Sequence, residues 1–266
     1  MIDMIQGRLI LEESSGNNVN YNLALEQSII TLQNYNNFDS IIRFWRNQNS
    51  VILGRNQDFF SEINIDYCKN NNIEIARRIS GGGTVYQDLG NLNVSLIFNK
   101  NMLPNKFSNI KDITGYFTDF IIKSLECYGL NNLERKGTSN ILYNELKISG
   151  SSGYYKKNCF LHHLTLLIDV NLVNLEKSLL ARPNYEVKKG RESNYYKTTN
   201  ISDNFNVTNW KSILIMMLEK EYNIRFIKSD LTESEVKYAK NLEKNMYESK
   251  NWIILQQRKE EFDFEV

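Results

Sequence analysis

The sequence has little of what marks a secreted, membrane-bound or multidomain protein. Its three cysteines, at positions 68, 127 and 159, are odd in number and widely spaced, which excludes a disulfide framework and a paired-thiol zinc site. With only two prolines in 266 residues and no linker rich in glycine, proline or serine, one continuous domain is expected. Asp3, Gln6 and Arg8 break the apolar character of the first ten residues, so we expect neither a secretory leader nor a membrane span. A cytoplasmic location fits these absences best.

An excess of charge of either sign is also missing. Lysine and arginine total 32 against 31 aspartates and glutamates, a formal net charge of +1. Such a balance gives no broad basic surface for nucleic acid or anionic lipid, so neither is an expected partner. A charged ligand would need a local site.

The spacing of apolar residues predicts an α+β fold. Helical spacing runs through residues 23–32 and again through 113–128, ending at Gly129 as a C-cap, and Thr232 with Glu235 forms a capping box that opens a C-terminal helix. Short runs typical of strands occur at residues 41–45, 50–53, 73–76, 93–98, 141–143, 147–149 and 160–168. This order predicts mixed, largely antiparallel sheets flanked by helices.

A glycine-rich segment between two predicted strands carries the clearest chemistry. Residues 77–93 read RRISGGGTVYQDLGNLN. Three consecutive glycines let several backbone N–H groups converge on one anion, and Arg78 could neutralise a carboxylate or a phosphate beside them. The segment matches neither the P-loop nor the GxGxxG dinucleotide pattern. Taken alone, a triple glycine is more often a flexible surface turn with solvated arginines.

The whole segment resembles the RRxSGGGxVxHDxGNLN signature of the lipoate-protein ligase A family. Further family motifs follow in the family's order: LGRNQ at residues 53–57, KISGSS at 147–152 and HHLTLL at 162–167. The resemblance covers roughly the whole chain. It implies the fold of the biotin and lipoate ligase catalytic domain over residues 1–255, a tail at 256–266, and no C-terminal accessory domain.

The same resemblance implies an ATP- and Mg²⁺-dependent ligase. Such an enzyme joins lipoate to ATP as lipoyl-AMP and then transfers the lipoyl group to a specific lysine of a carrier. The implied carriers are the lipoyl domains of 2-oxoacid dehydrogenase complexes or the glycine-cleavage H protein. A separate small subunit could replace the missing accessory domain.

Residue matching to the family assigns roles within the site. Lys147 corresponds to the family's catalytic lysine, which contacts the acyl carbonyl and the phosphate of the adenylate. Residues matched to adenylate or acyl binding are Arg78, Gly83, Thr84, Val85, Tyr86, Asn91, Asn140, Lys147 and His163, with no protein ligand for a metal. Three positions depart from the family pattern: Gln87 replaces a histidine, Asn140 an aspartate and Leu164 a glycine.

The two histidines are adjacent, and neighbours on a strand point to opposite faces, so at most one of them lines the site. We favour His163; a purely structural hydrogen bond is the alternative. For the apolar tail of lipoate, the strands bearing Ile75, Val94, Leu96, Leu166 and Ile168 are candidates for a tunnel.

Two other functions remain open at this point. The first is a cysteine acyltransferase of the same fold, which would need a placed thiol nucleophile. Cys159 lies twelve positions after Lys147, a spacing that fits no transferase pattern. The second is a non-catalytic lipoate- or adenylate-binding protein that has lost turnover through its changes at positions 87, 140 and 164.

Overall fold

The computed structural model describes residues 5–12, 16, 18–33, 38–103, 107, 109–181, 193–201 and 204–256. Of the tail expected at 256–266, all but Gln256 lies outside the described residues. Within these ranges no helix is both long enough and apolar enough to cross a membrane.

Eight of the described strands form the larger sheet. They span β1 Ile5–Ile10, β2 Ser40–Trp45, β6 Asn91–Asn99, β7 Leu133–Lys136, β8 Asn140–Tyr143, β9 Leu146–Lys156, β10 Cys159–Leu167 and β11 Ile224–Lys228. Their order in the sheet is β11-β1-β2-β6-β10-β9-β8-β7. Strand β1 runs parallel to both of its neighbours, and the other pairs are antiparallel.

A smaller sheet carries the glycine-rich loop. Its strands are β3 Ser50–Leu53, β4 Glu74–Arg77 and β5 Val85–Gln87, in the order β4-β3-β5, with β3 parallel to β4 and antiparallel to β5. The loop of residues 78–84 joins β4 to β5. Strand β5 was missing from the sequence prediction because three residues are too few to show a period of two.

The described helices span α1 Val19–Leu32, α2 Phe59–Glu62, α3 Ile65–Asn70, α4 Ile110–Tyr128, α5 Leu172–Ser178, α6 Val207–Tyr222, α7 Glu233–Leu242 and α8 Lys250–Ile253, with a 3-10 turn at Lys100–Met102 and a π turn at Glu243–Tyr247. The three predicted helices are confirmed as α1, α4 and α7. Helix α4 ends at Gly129 with φ +111°, and the capping box of Thr232 and Glu235 opens α7.

Each face of the larger sheet is covered by helices. Apolar residues of α4 and α6, among them Phe117 and Trp210, pack on one face, and residues of α1 and α7, among them Leu25 and Leu242, pack on the other. Burial of these two faces supplies the main driving force for folding. The arrangement confirms the predicted α+β class with largely antiparallel sheets and flanking helices.

Candidate functional site

A cavity of about 340 Å³ opens where the glycine-rich loop meets β9 and β10. This volume lies within the range of small-molecule sites. One part of its lining, the apolar wall, is formed by Leu23, Trp45, Ile52 and Val85. Another part, the polar wall, is formed by Asn140, Lys147, Ser152, Asn194 and Tyr196. The cavity therefore suits a ligand that is apolar in one part and charged in another.

Arg78 shapes the glycine-rich loop from within. Its Nη2 donates to the carbonyl oxygens of Gly81 and Gly83 at 2.6 and 2.8 Å, and its Nε donates to Ser80 Oγ at 3.1 Å. Gly82 makes the turn at φ +88°, a conformation that other residues rarely adopt. Burial lowers the pKa of Arg78 to about 10, so its guanidinium stays charged at neutral pH. The loop thus encloses a fixed cation at the cavity wall.

The predicted motif at residues 53–57 packs directly on this loop. A Cβ at Gly54 would lie 2.0 Å from the carbonyl oxygen of Gly82, so only glycine fits there. Gln57 Oε1 accepts from the Gly54 N–H at 2.9 Å and lies 2.8 Å from Thr84 Oγ1. The two motifs hold each other's backbone in place.

A strap of residues 193–199 covers the outer side of the loop. Ser193 Oγ accepts from the Thr84 N–H at 2.8 Å, and the Ser193 N–H donates to Glu62 Oε1 at 2.9 Å. At the other end of the strap, the Lys147 N–H donates to the carbonyl of Lys197 at 2.9 Å. The strap brings Asn194 and Tyr196 into the polar wall.

Lys147 is the second cation of the cavity. Its Nζ lies 5.1 Å from the centroid of the Tyr196 ring. Burial and the nearby charge of Arg78 lower the pKa of Lys147 to about 8, so the ammonium form still predominates at neutral pH. Within the described part of the chain, no carboxylate forms an ion pair with Lys147 or Arg78. The cavity therefore offers an anion two positive charges that are not engaged in a direct ion pair.

His163 links helix α1 to the glycine-rich loop. Its Nδ1 lies 2.9 Å from Glu26 Oε2, and its Nε2 lies 2.7 Å from Ser80 Oγ. Since a carboxylate only accepts, Nδ1 of His163 carries a proton. Burial raises the pKa of the Glu26 carboxyl, but the charge and hydrogen bonds of His163 and Ser95 outweigh burial, and the net pKa lies below the usual value. Both ring nitrogens are engaged, so His163 is held as a structural link.

Glu26 is a site residue that the sequence prediction missed. It is the only charged residue of α1 and lies one helical turn from Leu23 and Ile30 on the apolar face. A charge on a buried helical face rarely occurs without a partner. That signal could have identified it.

Seven of the nine residues matched to the family line the cavity: Arg78, Gly83, Thr84, Val85, Asn140, Lys147 and His163. Tyr86 does not, because side chains alternate along β5 and its ring points away from the cavity into the cluster around Val51 and Leu53. Asn91 does not either. It is fully buried behind Asn93, to which it donates at 3.1 Å.

Two of the strands suggested for an acyl tunnel, β6 and β10, line the cavity through Asn93, Leu164 and Thr165. None of the five residues suggested for the tunnel lines the cavity. Val94, Leu96 and Leu166 instead face the core beneath α4, because the alternation of each strand turns these positions toward the helix layer.

The described cysteines also lie away from the cavity. Cys159 and Cys68 are buried, and burial raises the pKa of each thiol to about 11. Neither of them, nor the exposed Cys127, is among the lining residues.

Two lipoate-protein ligases are similar to this chain along most of its length. Lipoate–protein ligase 1 of Staphylococcus aureus is 31% identical over 245 residues, which cover 90% of this chain and 71% of the relative. The lipoate-protein ligase A subunit 1 of Thermoplasma acidophilum is 30% identical over 271 residues, which cover 96% of this chain and 99% of that protein.

Solved structures share its fold. A T. acidophilum lipoate protein ligase with bound lipoic acid superposes with a TM-score of 0.78 at 27% identity, covering 94% of this chain and all of that one. The bi-partite lipoate protein ligase of T. acidophilum, from a structural analysis that also covers its E2 lipoyl domain, has a TM-score of 0.78 at 27% identity, covering 96% of this chain and 99% of that one. A lipoate-protein ligase A bound with ATP has a TM-score of 0.79 at 27% identity, covering 95% of this chain and 100% of that one.

These likenesses confirm the expected catalytic-domain fold. The model of the lipoyl protein ligase A/B catalytic domain matches residues 18–219, a range that contains the glycine-rich loop, both cations of the cavity and the strap. The chain therefore belongs to the lipoyl protein ligase A/B catalytic domain family.

Proposed function

We propose that this protein is an ATP-dependent lipoate-protein ligase. In the first step a carboxylate oxygen of lipoate attacks the α-phosphorus of ATP, and pyrophosphate leaves. In the second step the neutral ε-amine of a carrier lysine attacks the acyl carbon of lipoyl-AMP, AMP leaves, and the amine loses a proton as the amide forms.

One observation carries the proposal: two cations without carboxylate partners share a cavity with an apolar wall. Lipoate combines an apolar chain with a carboxylate, and the α-phosphate of ATP adds negative charge where the two meet. Fixed cations stabilise charge that develops in the transition state most strongly where water is excluded. Arg78 and Lys147 satisfy this requirement, and Lys147 Nζ is the group that we expect to contact the acyl and phosphate oxygens.

The loops around these cations fit the nucleotide. We propose that Gly83, Thr84 and Val85 lie along the adenylate and that Asn140 contacts it from β8, since all four line the cavity. The bound ATP and lipoic acid of the two solved relatives support the same pair of ligands. His163 acts by holding Ser80 in place.

We propose that Mg²⁺ binds only together with ATP. The described residues that line the cavity include no carboxylate, and the described chain holds no cluster of three or more histidine, cysteine, aspartate or glutamate residues suited to a metal. The described lining residues therefore do not fit a protein-held metal site. Among the described residues the three cysteines form no disulfide, which supports a cytoplasmic location.

The proposed carrier is a lipoyl domain, as in 2-oxoacid dehydrogenase complexes or the glycine-cleavage H protein. The T. acidophilum lipoylation system consists of a bi-partite ligase and its E2 lipoyl domain, which supports this class of partner. That ligase is also bi-partite, and its subunit 1 aligns with 96% of this chain. We therefore propose that this chain works with a second, separate subunit.

The test of function is incubation with ATP, Mg²⁺, lipoate and an apo lipoyl domain, followed by mass spectrometry of the carrier. Lipoylation that requires ATP is expected, and Lys147→Ala should reduce it at least about 100-fold, the scale of losing one electrostatic contact in a transition state. Acyl transfer from a carrier protein without ATP would instead establish an acyltransferase. Binding without product would establish a non-catalytic binding protein.

The second subunit is tested by separating the two steps. We expect the isolated chain to transfer the lipoyl group from synthetic lipoyl-AMP rapidly but to release pyrophosphate from ATP and lipoate slowly. Fast rates in both assays would contradict the need for a partner.

A further inference from the structure

Four side-chain amides meet next to the apolar wall. Gln87 and Asn93 form a reciprocal pair: Gln87 Nε2 donates to Asn93 Oδ1 at 2.8 Å, and Asn93 Nδ2 donates to Gln87 Oε1 at 3.0 Å. Asn47 Nδ2 donates to Gln87 Oε1 at 2.8 Å, and Asn91 Nδ2 donates to Asn93 Oδ1 at 3.1 Å. The amide pair of Gln87 and Asn93 is thus supported from both sides.

The hydrogen-bond acceptors of this amide pair are fully used, but its donors are not. Each carbonyl oxygen has two lone pairs and receives two N–H groups, so both acceptors are saturated. Each amide nitrogen has two N–H groups and uses one. Among the residues that the structure describes, no acceptor takes the second N–H of either Gln87 or Asn93. The pair can donate two further hydrogen bonds and accept none.

The cavity is where those donors can be satisfied. Gln87 and Asn93 line it and keep 4% and 2% of their surface exposed, whereas their supports Asn47 and Asn91 are at 0%. Asn93 is directly opposite Trp45 in the pairing of β2 with β6, and Gln87 follows Val85 on the same face of β5. The spare N–H groups therefore lie beside the apolar wall, where a chain anchored by its carboxylate at the cations would run.

We propose that Gln87 and Asn93 select an acyl chain that carries a hydrogen-bond acceptor near its far end. This inference rests on the proposed function. Lipoate and octanoate share an eight-carbon chain, but only lipoate has ring sulfurs with lone pairs at that end. A bound octanoate would bury two amide donors against hydrocarbon, and unpaired buried donors are costly. Sites that hydrogen-bond a ligand discriminate against analogues that lack the bonding atom.

The test is calorimetric binding of lipoate and of octanoate, which needs no turnover. The wild-type chain should bind octanoate at least about tenfold more weakly than lipoate, because loss of one such hydrogen bond costs about 1.4 kcal/mol or more. Gln87→Met keeps a side chain of similar length but cannot donate, and its preference should fall to about threefold or less. The matched control is Gln33→Met, because Gln33 is a buried amide at the end of α1 that does not line the cavity.

The outcomes separate this inference from the proposed function. Equal binding of both acids by the wild type, or full preference in a folded Gln87→Met variant, would overturn the inference and leave ligation untouched. A preference carried by ring shape alone would survive that substitution. Binding that favours lipoate and depends on Gln87, in a chain without ATP-dependent transfer, would uphold the inference and overturn the ligase proposal. Loss of the preference in Gln33→Met as well would show an effect of stability and count against it.

Discussion

His162 and His163 are neighbours on β10, yet their surroundings have almost nothing in common. His162 is fully buried and stacks on Phe117 with 5.4 Å between ring centroids, and within the described chain neither of its nitrogens has a hydrogen-bond partner. His163 bonds to Glu26 and Ser80 and lines the cavity. One strand thus separates a core side, where polar atoms are left unpaired, from a cavity side, where they fix a loop.

The same contrast holds for protonation. Burial, with the neighbouring His163, lowers the pKa of His162 to about 3, so its ring is neutral. Burial also lowers the pKa of Lys147, but only to about 8, and the lysine keeps its charge at neutral pH. Burial acts on both groups in the same direction, while only the cavity side keeps a charge that chemistry can use.

The largest effect on activity is expected when high pH removes the positive charge of Lys147. Since Lys147 is charged below its pKa, kcat/KM for pyrophosphate release should fall by about tenfold per unit above about pH 8. In Lys147→Arg the fall in kcat/KM should begin at higher pH, because the guanidinium group keeps its proton. A constant kcat/KM from pH 7 to pH 10 in the wild type would show that the charge of Lys147 does not act in the adenylation step.

The second-largest effect is expected from removing the hydrogen bonds of His163, which lies on the cavity side of β10. His163→Leu removes one hydrogen-bond partner from the buried Glu26 carboxylate and one from the Ser80 hydroxyl, and we expect a loss of about 2–4 kcal/mol in unfolding free energy. Pyrophosphate release should slow by roughly 10- to 100-fold, because the glycine-rich loop loses its anchor. Urea unfolding and the release assay measure the two effects. Wild-type values of both the unfolding free energy and the rate of pyrophosphate release would show that His163 does not anchor the glycine-rich loop.

The matched change on the core side should act in the opposite direction. His162→Leu replaces an imidazole whose nitrogens lack partners among the described residues, and we expect stability at pH 7 to rise by about 1 kcal/mol with pyrophosphate release unchanged. Equal destabilisation by both leucine variants would erase the contrast between the two sides of β10.

The wild type should also lose stability in acid through His162. Its folded pKa of about 3 lies below the ordinary 6.5, so the unfolded state takes up the proton as pH falls between these values. The unfolding free energy should then drop by up to about 1.4 kcal/mol per pH unit, and this contribution should vanish in His162→Leu. Parallel stability curves for the two proteins from pH 7 to pH 4 would contradict the assignment.

The smallest effect is expected at Cys159, which is buried on the same strand and donates to Asn99 Oδ1 at 3.3 Å. Cys159→Ser should leave ATP-dependent lipoylation unchanged, because an adenylate route uses no thiol and the cysteine does not line the cavity. Complete loss of activity in a folded Cys159→Ser protein would favour the acyltransferase.

Local sequence patterns determined the elements that depend on neighbours along the chain. Helix α4 follows from apolar spacing and a glycine stop, and α7 from its capping box. The glycine-rich loop and Lys147 were found because a long motif preserves the order of its residues. The two histidines were assigned to opposite faces by the period of a strand alone.

Contacts between distant segments were decided only by the tertiary structure. Glu26 reaches His163 across 137 positions, and Ser193 reaches Glu62 across 131, separations at which no local period carries information. The candidate tunnel residues illustrate the same limit: alternation shows that Val94 and Leu96 share a face, but only packing decides whether that face meets α4 or the cavity. Hydrophobic period and motif order are properties of the chain, whereas the side of the sheet on which a helix packs is a property of the folded whole.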